Sequence, residues 1–587
     1  MQKSTKELII DKLKEATHKK YTKAKLLKDL NISSDDTQRY KRAIKQLRKN
    51  KIIIKHNNKY IKLNENIEII IGEFQYNPKG YGFIILKDKE EDIFIPRDNI
   101  GDALNGDRVI VKITKKRSGL KKAEGEIIDV IKRNLHRVVG TYIANENFGF
   151  VIPDNPKINK DIYIPKGQIN GAQSYDKVVC KITKYPIKGR NQEGSIVEVI
   201  GLKEEKGVDV ASILKEKGIK IEFPPKILQQ VEKLSDEISE MEMKSRRDLT
   251  DLNIFTIDRD DAKDLDDAVS IEILENGNYR LGVHIADVTH YVKENIKLDK
   301  EAYNRGTSIY LVDTVVPMLP KKLSNNLCSL NTDGKKLTLS VFMEVDNHGI
   351  IVNREVLKSF IQSKAQLTYS EVTKYLLGEN PQMEVDKPQI CNDLKSMEEL
   401  ANILAKKRKD RGCIEFDFPE PIITLNEEGK VIDVQKHERG ISNQIIEEFM
   451  IACNETIAEI FYWNKMPFVF RIHESPRADR LIEFNKFITQ YGYKIDFKED
   501  DNGNIEVTPK ELQALLEEIK GKSEEKALNI MLLRSLQQAS YFPNCIGHFG
   551  LSTKYYCHFT SPIRRYPDLQ IHRIIKEFIS NGISKER

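Results

Sequence analysis

Residues 253–286 read NIFTIDRDDAKDLDDAVSIEILENGNYRLGVHIA, and this stretch decides the fold of the second half of the chain. Asn253 to Ile257 form an apolar run typical of a buried strand. Ala268 to Leu274 alternate as a second strand, Asn276-Gly277 is a hairpin signal, and Tyr279 to Ala286 form the returning strand. The acidic connection between the first two strands is therefore held on a rigid platform, as a functional site requires.

The connection itself contains six aspartates within ten residues, from Asp258 to Asp267 (DRDDAKDLDD). Packed carboxylates repel one another unless cations neutralise them, and hard oxygen ligands suit Mg2+. Two such ions about 3.5–4 Å apart can activate water and stabilise a leaving oxygen in phosphodiester hydrolysis. Metal catalysis and a solvated acidic turn are both left open. A calcium loop fits poorly, because Lys263 and Val269 stand where Gly and Glu are expected.

A second polar segment, HFTSPIRRYPDL, lies far downstream. Arg564 and Arg565 follow its Ser-Pro turn and precede a helix predicted over Leu569 to Ile579. Arginine forks match phosphate geometry and can stabilise the charge that develops during phosphoryl chemistry. The alternative is a surface arginine pair bound to Asp568 or Glu577.

Two similar segments precede the acidic region. Each has a Gly-Phe or Gly-Tyr strand, then an aromatic strand ending in Pro, then a further β stretch: 79–84, 92–96 and 107–111, against 147–152, 161–165 and 176–180. Aromatic side chains on a small β-barrel are stacking platforms for bases, worth about 1–3 kcal/mol per base. The duplication favours RNA binding over a barrel-core role for Phe83, Phe94, Phe150 and Tyr163.

Residues 1–65 are basic, with 19 Lys and Arg against 7 Asp and Glu, whereas the other 522 residues hold 76 against 82. Leu8, Ile9, Leu13 and Ala16 have helical spacing, as do Ile44 and Leu47. The stretch 51–63 reads as two strands around an Asn-Asn turn. Helices followed by a two-stranded wing resemble a winged helix-turn-helix. The charge suggests a polyanionic partner such as nucleic acid, and a lysine-rich solvated surface is left open as an equal alternative.

Length and composition limit the class of protein and the number of domains. The chain of 587 residues is 40% hydrophobic and 31% charged, a balance that excludes membrane and disordered classes and suggests about three to five domains. Its seven cysteines are scattered without a CxxC pair, so a disulfide framework or structural zinc site is not expected. The N-terminus has no secretory signal and no apolar run approaches bilayer length, so a cytoplasmic protein without membrane contact is expected.

The predicted fold class is multidomain α+β. The expected order is a winged-helix-like basic domain, two cold-shock-type OB barrels, a charged segment that is either a helical linker or an entry helix to the next domain, and a large α+β domain: 1–65, 66–133, 134–202, 203–250 and 251–587.

Several long motifs together resemble the RNB family of exoribonucleases, over nearly the whole chain. They are TIDRDDAKDLDDAVS, HIADVTHYV, NRGTSIYLVDTVVPMLP, LSNNLCSLN, GHFGL and HFTSPIRRYPDL. The resemblance implies a processive, hydrolytic 3'-to-5' exoribonuclease acting on single-stranded RNA with a free 3' end, structured RNA being a possible extension. Products would be 5'-nucleoside monophosphates, and Mg2+, as two ions, would be the cofactor.

The same resemblance assigns roles to individual residues. The four family aspartates fall on Asp258, Asp264, Asp266 and Asp267, which would hold the metal, with Asp266 the most critical for chemistry. Asp260 and Asp261 fall outside the four and are expected to tolerate substitution.

Other site residues also follow from the resemblance. Tyr310 matches the tyrosine that stacks on RNA near the cleaved end. Phe416 matches its partner aromatic, with Phe418 close by as the alternative. Arg564 matches the catalytic arginine, and Arg565 is assigned to RNA binding.

The family pattern also continues beyond the end of this chain. A glutamate in a later helix and a C-terminal OB-type domain would follow the SPIRRYPDL helix, whereas this sequence stops at Arg587. The sequence is therefore interpreted as C-terminally incomplete, and the alternative function is an RNA-binding protein with weak or no catalysis. A monomer is expected, and ribosomes or RNA-decay machinery are candidate partners.

Overall fold

A computed structural model of the protein describes residues 4–15, 21–30, 36–56, 60–64, 67–86, 92–117, 122–187, 190–416, 418, 420–437, 439–499 and 505–581. The chain divides into two compact units. The first comprises residues 1–220 with 426–430, and the second comprises residues 221–425 with 431–587.

The first unit begins with three helices and an antiparallel strand pair: α1 (Thr5–Glu15), α2 (Lys23–Asp29), α3 (Thr37–Lys49), β1 (Ile53–His56) and β2 (Tyr60–Leu63). The predicted apolar faces are buried at Ile9, Leu13, Ile44 and Leu47. Leu8 is the exception, since it is exposed. Ala16 and the Asn-Asn turn lie outside the described residues, and the winged-helix interpretation stays a prediction.

Two closed five-stranded barrels follow, as the duplicated pattern predicts. The first contains β3 (Ile69–Tyr76), β4 (Gly82–Ile85), β5 (Ile93–Ile95), β6 (Arg108–Lys115) and β7 (Glu124–Lys132), in the order β3-β4-β5-β7-β6. The second contains β8 (Arg137–Ala144), β9 (Phe148–Pro153), β10 (Ile162–Pro165), β11 (Asp176–Lys184) and β12 (Glu193–Leu202), in the order β10-β12-β11-β8-β9.

Three short helices occupy the segment predicted as a linker. α4 (Val208–Glu216) packs against β8, β11 and β12 in the first unit. α5 (Pro225–Glu232) and α6 (Glu240–Lys244) belong to the second unit. The segment 203–250 is thus shared between the two units, and α4 is an addition to the second barrel.

A seven-stranded sheet forms the centre of the second unit, in the order β13-β20-β19-β16-β15-β14-β21. The strands are β13 (Arg247–Asp248), β14 (Phe255–Asp258), β15 (Asp267–Ile273), β16 (Tyr279–Ala286), β19 (Lys336–Val345), β20 (Ile351–Ile361) and β21 (Ala365–Thr368). β15 and β16 form the predicted hairpin, with Asp267 opposite Ile285 and Ile273 opposite Tyr279.

Helices cover both faces of this sheet. Val269 packs with Leu394 and Phe449 in one buried cluster, whereas Ala268 packs with Leu298 and Leu569 in the other. The helices that contribute to these two clusters include α7 (Lys297–Arg305), α8 (Tyr369–Leu376), α9 (Gln382–Asp386), α10 (Pro388–Asp410), α11 (Ile441–Trp463) and α15 (Tyr566–Asn581). Three further helices, α12 (Ala478–Ile488), α13 (Pro509–Ile519) and α14 (Glu525–Ser535), pack together in a separate buried cluster.

Four small strand pairs complete the second unit. They are β17 (Ile309–Tyr310) with β18 (Val315–Val316), β22 (Glu420–Leu425) with β23 (Val431–His437), β24 (Phe470–Ile472) with β27 (Ser540–Phe542), and β25 (Lys498–Glu499) with β26 (Ile505–Glu506).

The seven cysteines all lie in described ranges, and each has a free thiol. Among the helices of those ranges, none is long and apolar enough to cross a bilayer.

Candidate active site

The acidic connection between β14 and β15 is fixed by backbone contacts to a neighbouring turn. The Leu265 N–H donates to Ser329 Oγ at 3.2 Å, and that hydroxyl donates to the Lys263 carbonyl at 2.8 Å. The Leu330 N–H donates to the Leu265 carbonyl at 3.0 Å. These bonds hold the residues between the two strands in one conformation, as a preorganised site requires.

Asp266 is the most buried carboxylate of the connection, only 3% exposed. Its Oδ1 accepts the Ile563 N–H at 2.8 Å, and Arg564 Nε lies 3.5 Å from its Oδ2. The Asp266 carbonyl also accepts the Ala286 N–H from β16 at 2.9 Å. The fold thus brings the downstream Ser-Pro-Ile-Arg-Arg turn against the aspartate to which the sequence assigns the chemistry.

Three of the six aspartates share an environment that disfavours their charge. Burial and the charge of Asp267 raise the pKa of Asp258 to about 8. Burial raises the pKa of Asp267 to about 6 and that of Asp266 well above its ordinary value, although Arg564 opposes both shifts. Because repulsion and desolvation disfavour the ionised carboxylates, the cluster needs additional positive charge to stabilise them. Asp260 and Asp261 are exposed and stand apart from it.

The donor atoms of this cluster suit a hard cation. Buried Asp258 Oδ2 and Asp266 Oδ2 accept no hydrogen bond from any residue the structure describes. Unpartnered buried carboxylate oxygens are costly unless a cation satisfies them, and oxygen ligands are those that Mg2+ prefers. No three Asp, Glu, His or Cys side chains in the described ranges form a ready-made metal group. The fit to a metal rests instead on the carboxylates' charge and on the open oxygens of Asp258 and Asp266.

The two arginines of the downstream turn differ in their surroundings. Arg564 is 43% exposed at its side chain, and its Nη2 donates to Ser561 Oγ at 2.9 Å. Arg565 Nη2 donates to buried Asp568 at 2.7 Å, and Asp568 also accepts the Ser561 N–H at 2.8 Å. Arg564 is thus available to a phosphate, whereas Arg565 holds the turn through Asp568, as in the alternative interpretation of the sequence.

The two aromatic residues assigned to the end of the RNA have different partners among the described residues. Tyr310 is 40% exposed, and its hydroxyl donates to Asp264 Oδ2 at 2.5 Å. Phe416 instead stacks on Phe418, with ring centroids 5.6 Å apart, and lines a cleft of about 980 Å³. Among the described residues it makes no ring contact with Tyr310, so the structure joins Tyr310 alone to the acidic cluster.

The barrel aromatics lie on outer faces, and this contradicts the barrel-core alternative. Along β4 and β5, Gly82, Ile84, Ile93 and Ile95 are buried, whereas Phe83 and Phe94 are partly exposed. In the second barrel, Phe150 and Tyr163 are likewise partly exposed.

Each barrel adds a third ring that the sequence assignment missed. Tyr81 lies 5.6 and 5.4 Å from the rings of Phe83 and Phe94. Phe148 lies 5.6 and 5.5 Å from the rings of Phe150 and Tyr163. Both added residues stand two positions before a predicted one, which places them on the same strand face. We call these two sets, Tyr81 with Phe83 and Phe94 and Phe148 with Phe150 and Tyr163, the aromatic triads.

Comparisons with protein families match three parts of the chain. Residues 246–581 match the RNB domain, residues 150–224 match the cold shock domain, and residues 72–130 match the ribonuclease B OB domain.

Individual relatives match most of the chain. Ribonuclease R 1 of Lactococcus lactis is 43% identical over 523 residues, which cover 87% of this chain and 63% of that protein. Ribonuclease R of Thermotoga maritima is 39% identical over 555 residues, covering 93% of this chain and 76% of that protein. The structure of Mycoplasma genitalium RNase R in complex with ribose-methylated single-stranded RNA has a TM-score of 0.79 and 30% identity, over 87% of this chain and 79% of that one.

Proposed function

The chain belongs to the RNB family, and we propose that it is a processive 3'-to-5' exoribonuclease that hydrolyses single-stranded RNA to 5'-nucleoside monophosphates. The observation that carries the proposal is the buried carboxylate cluster of Asp258, Asp266 and Asp267 facing Arg564. Carboxyl groups whose ionised forms need a cation, placed beside a partly exposed guanidinium, suit the metal-dependent hydrolysis of a phosphodiester. The likeness to a solved RNase R bound to single-stranded RNA supports the substrate class.

In this proposal the aspartates hold the metal and the attacking water. Asp258, Asp264 and Asp267 supply ligands for Mg2+, two ions being expected. When bound, Mg2+ supplies Lewis-acid charge and lowers the pKa of bound water. Asp266 would orient the metal and the attacking water. Its Oδ1 is fixed by the Ile563 N–H at 2.8 Å, whereas its Oδ2 accepts no hydrogen bond from a described residue.

Arg564 and Tyr310 act on the RNA itself. The Arg564 guanidinium stabilises the charge that gathers on the scissile phosphate, because its donors reach open space beside Asp266. The Tyr310 ring, held by its hydroxyl bond to Asp264, stacks on a base at the 3' end. Stacking reads no sequence, which suits a degradative enzyme.

The first experiment compares Asp266→Asn with Asp261→Asn. Both remove one carboxylate from the same connection, but Asp266 is buried in the cluster and the Asp261 side chain is 84% exposed. We expect Asp266→Asn to lower the hydrolysis rate by at least about a hundredfold, the scale of losing one preorganised catalytic group. Asp261→Asn should keep the wild-type rate, and both variants should bind RNA as the wild type does.

The measurement is hydrolysis of a labelled single-stranded RNA with Mg2+, paired with a gel shift in EDTA. A rate unchanged by Asp266→Asn would remove the catalytic assignment. RNA that is bound but left intact by the wild-type chain would favour the alternative, an RNA-binding protein with weak or no catalysis.

A further inference from the structure

Helix α3 (Thr37–Lys49) carries two opposite faces. One face, formed by Tyr40, Ala43, Ile44 and Leu47, is buried in the core of the N-terminal module, by which we mean α1, α2 and α3 with β1 and β2. The rest of the helix holds six exposed cations and no acidic residue: Arg39, Lys41, Arg42, Lys45, Arg48 and Lys49. We call these six residues the cationic face of α3.

The cationic face is a rigid row. Arg42, Lys45 and Lys49 have i, i+3 and i+7 spacing, so they align along the helix directly opposite the buried side. The helix has 13 residues and therefore extends over about 20 Å. No residue in the described ranges forms an ion pair with any of the six.

The helix is also held in a fixed position within its unit. Asn50, at its C-terminal end, donates to the Ile128 carbonyl of the first barrel at 3.1 Å. Lys6 of α1 pairs with Asp129 on the same barrel strand at 2.8 Å. The row of cations is therefore presented on a rigid support, which reduces the entropy lost when it binds a partner.

The chemistry of this face differs from that of the barrels. No aromatic ring is exposed on α3, because Tyr40 is fully buried, so the face offers bases nothing to stack on. Phosphates are the groups that a row of Lys and Arg recognises. A double helix presents them at a fixed spacing, about one charge per 1.7 Å along its axis, whereas a flexible single strand must first be ordered.

We propose that the cationic face of α3 docks on the phosphate backbone of double-helical RNA. The choice of RNA rests on the proposed function. The A-form major groove is too narrow for side chains to reach bases, so contact is made with phosphates along the groove edge and is independent of sequence. The N-terminal module then holds duplex regions, while the aromatic triads hold single strands.

The test is a double neutralisation, Lys45→Gln with Lys49→Gln. Gln has nearly the helix propensity of Lys, so α3 keeps its structure, and a thermal melt by circular dichroism checks this. The control is Lys297→Gln with Lys300→Gln on α7, two exposed lysines of the second unit. The probes are a blunt 20-base-pair RNA duplex, a DNA duplex of the same sequence and a 20-nucleotide single strand, bound in EDTA and followed by fluorescence anisotropy.

We expect the α3 variant to bind duplex RNA about 10- to 100-fold more weakly near 0.1 M salt, with a salt slope shallower by about 1.8, because two phosphate contacts are lost. Its affinity for the single strand and its rate of single-strand hydrolysis should match the wild type. The α7 control should leave the duplex affinity unchanged.

Three results would overturn the inference: an unchanged duplex affinity and salt slope, an equal loss for duplex and single strand, or tighter binding of the DNA duplex than of the RNA duplex. The binding assay needs no hydrolysis, so a wild-type chain that fails to cleave RNA would refute the proposed function and leave this inference to its own test.

Discussion

Arg564 is the residue whose chemistry depends most on the shape of its side chain. Its guanidinium lies beside Asp266 and donates to Ser561, leaving further donors free. Lysine keeps the charge but loses the planar fork. We expect Arg564→Lys to lower the single-turnover hydrolysis rate by about 100- to 1000-fold, the scale of one lost donor to a developing charge, with little change in RNA affinity.

Arg259→Lys is the matched control, because the Arg259 side chain is 61% exposed and its Nε lies 3.8 Å from Asp261, outside the buried cluster. Its rate should equal the wild-type rate. If Arg564→Lys weakened RNA binding and hydrolysis by the same factor, Arg564 would be a ground-state binding residue.

Among the six clustered aspartates, sequence spacing alone gives no ranking. Burial supplies it: Asp258, Asp266 and Asp267 have raised pKa values, whereas Asp260 and Asp261 are exposed. The sequence could predict a carboxylate site between two strands, and the family resemblance identified four of the six aspartates as site residues. Which carboxylates lose solvent depends on Ile563 and Arg564, almost 300 residues downstream, and no local pattern reports that.

At the scale of elements, the aromatic triads provide a test of single-strand binding. We expect Phe148→Ala to weaken binding of a short single-stranded RNA by about 1–3 kcal/mol, the cost of losing one stacked base. Ile152→Ala on the same strand is the control, since Ile152 is 47% exposed and outside the triad. The measurement is fluorescence anisotropy in EDTA, and equal effects of the two changes would show that the triad is only barrel surface.

Helix α15, which follows Arg564, is tied to the sheet by a buried charge cluster. Lys576 donates to both oxygens of Asp287 at 3.0 and 2.8 Å, and Arg246 donates to the same carboxylate at 2.5 Å. Although burial opposes ionisation, these two charges hold the pKa of Asp287 well below its ordinary value. The ionised form therefore stabilises the fold above the unfolded pKa of about 3.9, and this contribution is lost as pH falls below it.

Lys576→Met removes one partner of this carboxylate. We expect it to lower the free energy of unfolding by about 1–3 kcal/mol at pH 7, and the difference from wild type to shrink as pH falls from about 4 toward 3. Urea unfolding at several pH values measures this. A difference that stayed constant over the whole range would mean that Lys576 acts through packing rather than through the charge of Asp287.

Local sequence patterns predicted individual strands well. Period-two alternation and the Asn-Gly turn placed β15 and β16 within a residue of their observed bounds. The pattern also identified two rings of each triad, because they face each other across paired strands. It missed Tyr81 and Phe148, although their spacing of two positions from a predicted ring is the signal that could have identified them.

For the whole molecule, the order of elements was predictable but their grouping was not. The segment 203–250 looked like one charged linker, yet α4 packs on the second barrel while α5 and α6 join the second unit. An apolar helix face can pack equally well on a barrel or on the second unit, so helical periodicity in the sequence does not show to which of them each helix belongs. The chain spans 63% of the length of its Lactococcus relative and 76% of its Thermotoga relative, so the activity of this span needs its own test.

The most direct test uses the purified chain, Mg2+ and a 5'-labelled single-stranded RNA whose 3' end is either free or chemically blocked. We expect the free-ended RNA to pass directly to a product of a few nucleotides on a denaturing gel. We also expect 5'-nucleoside monophosphates to accumulate and the blocked RNA to persist. RNA that stays intact although a gel shift shows it bound, or equal loss of both RNAs through internal cuts, would contradict the proposed function.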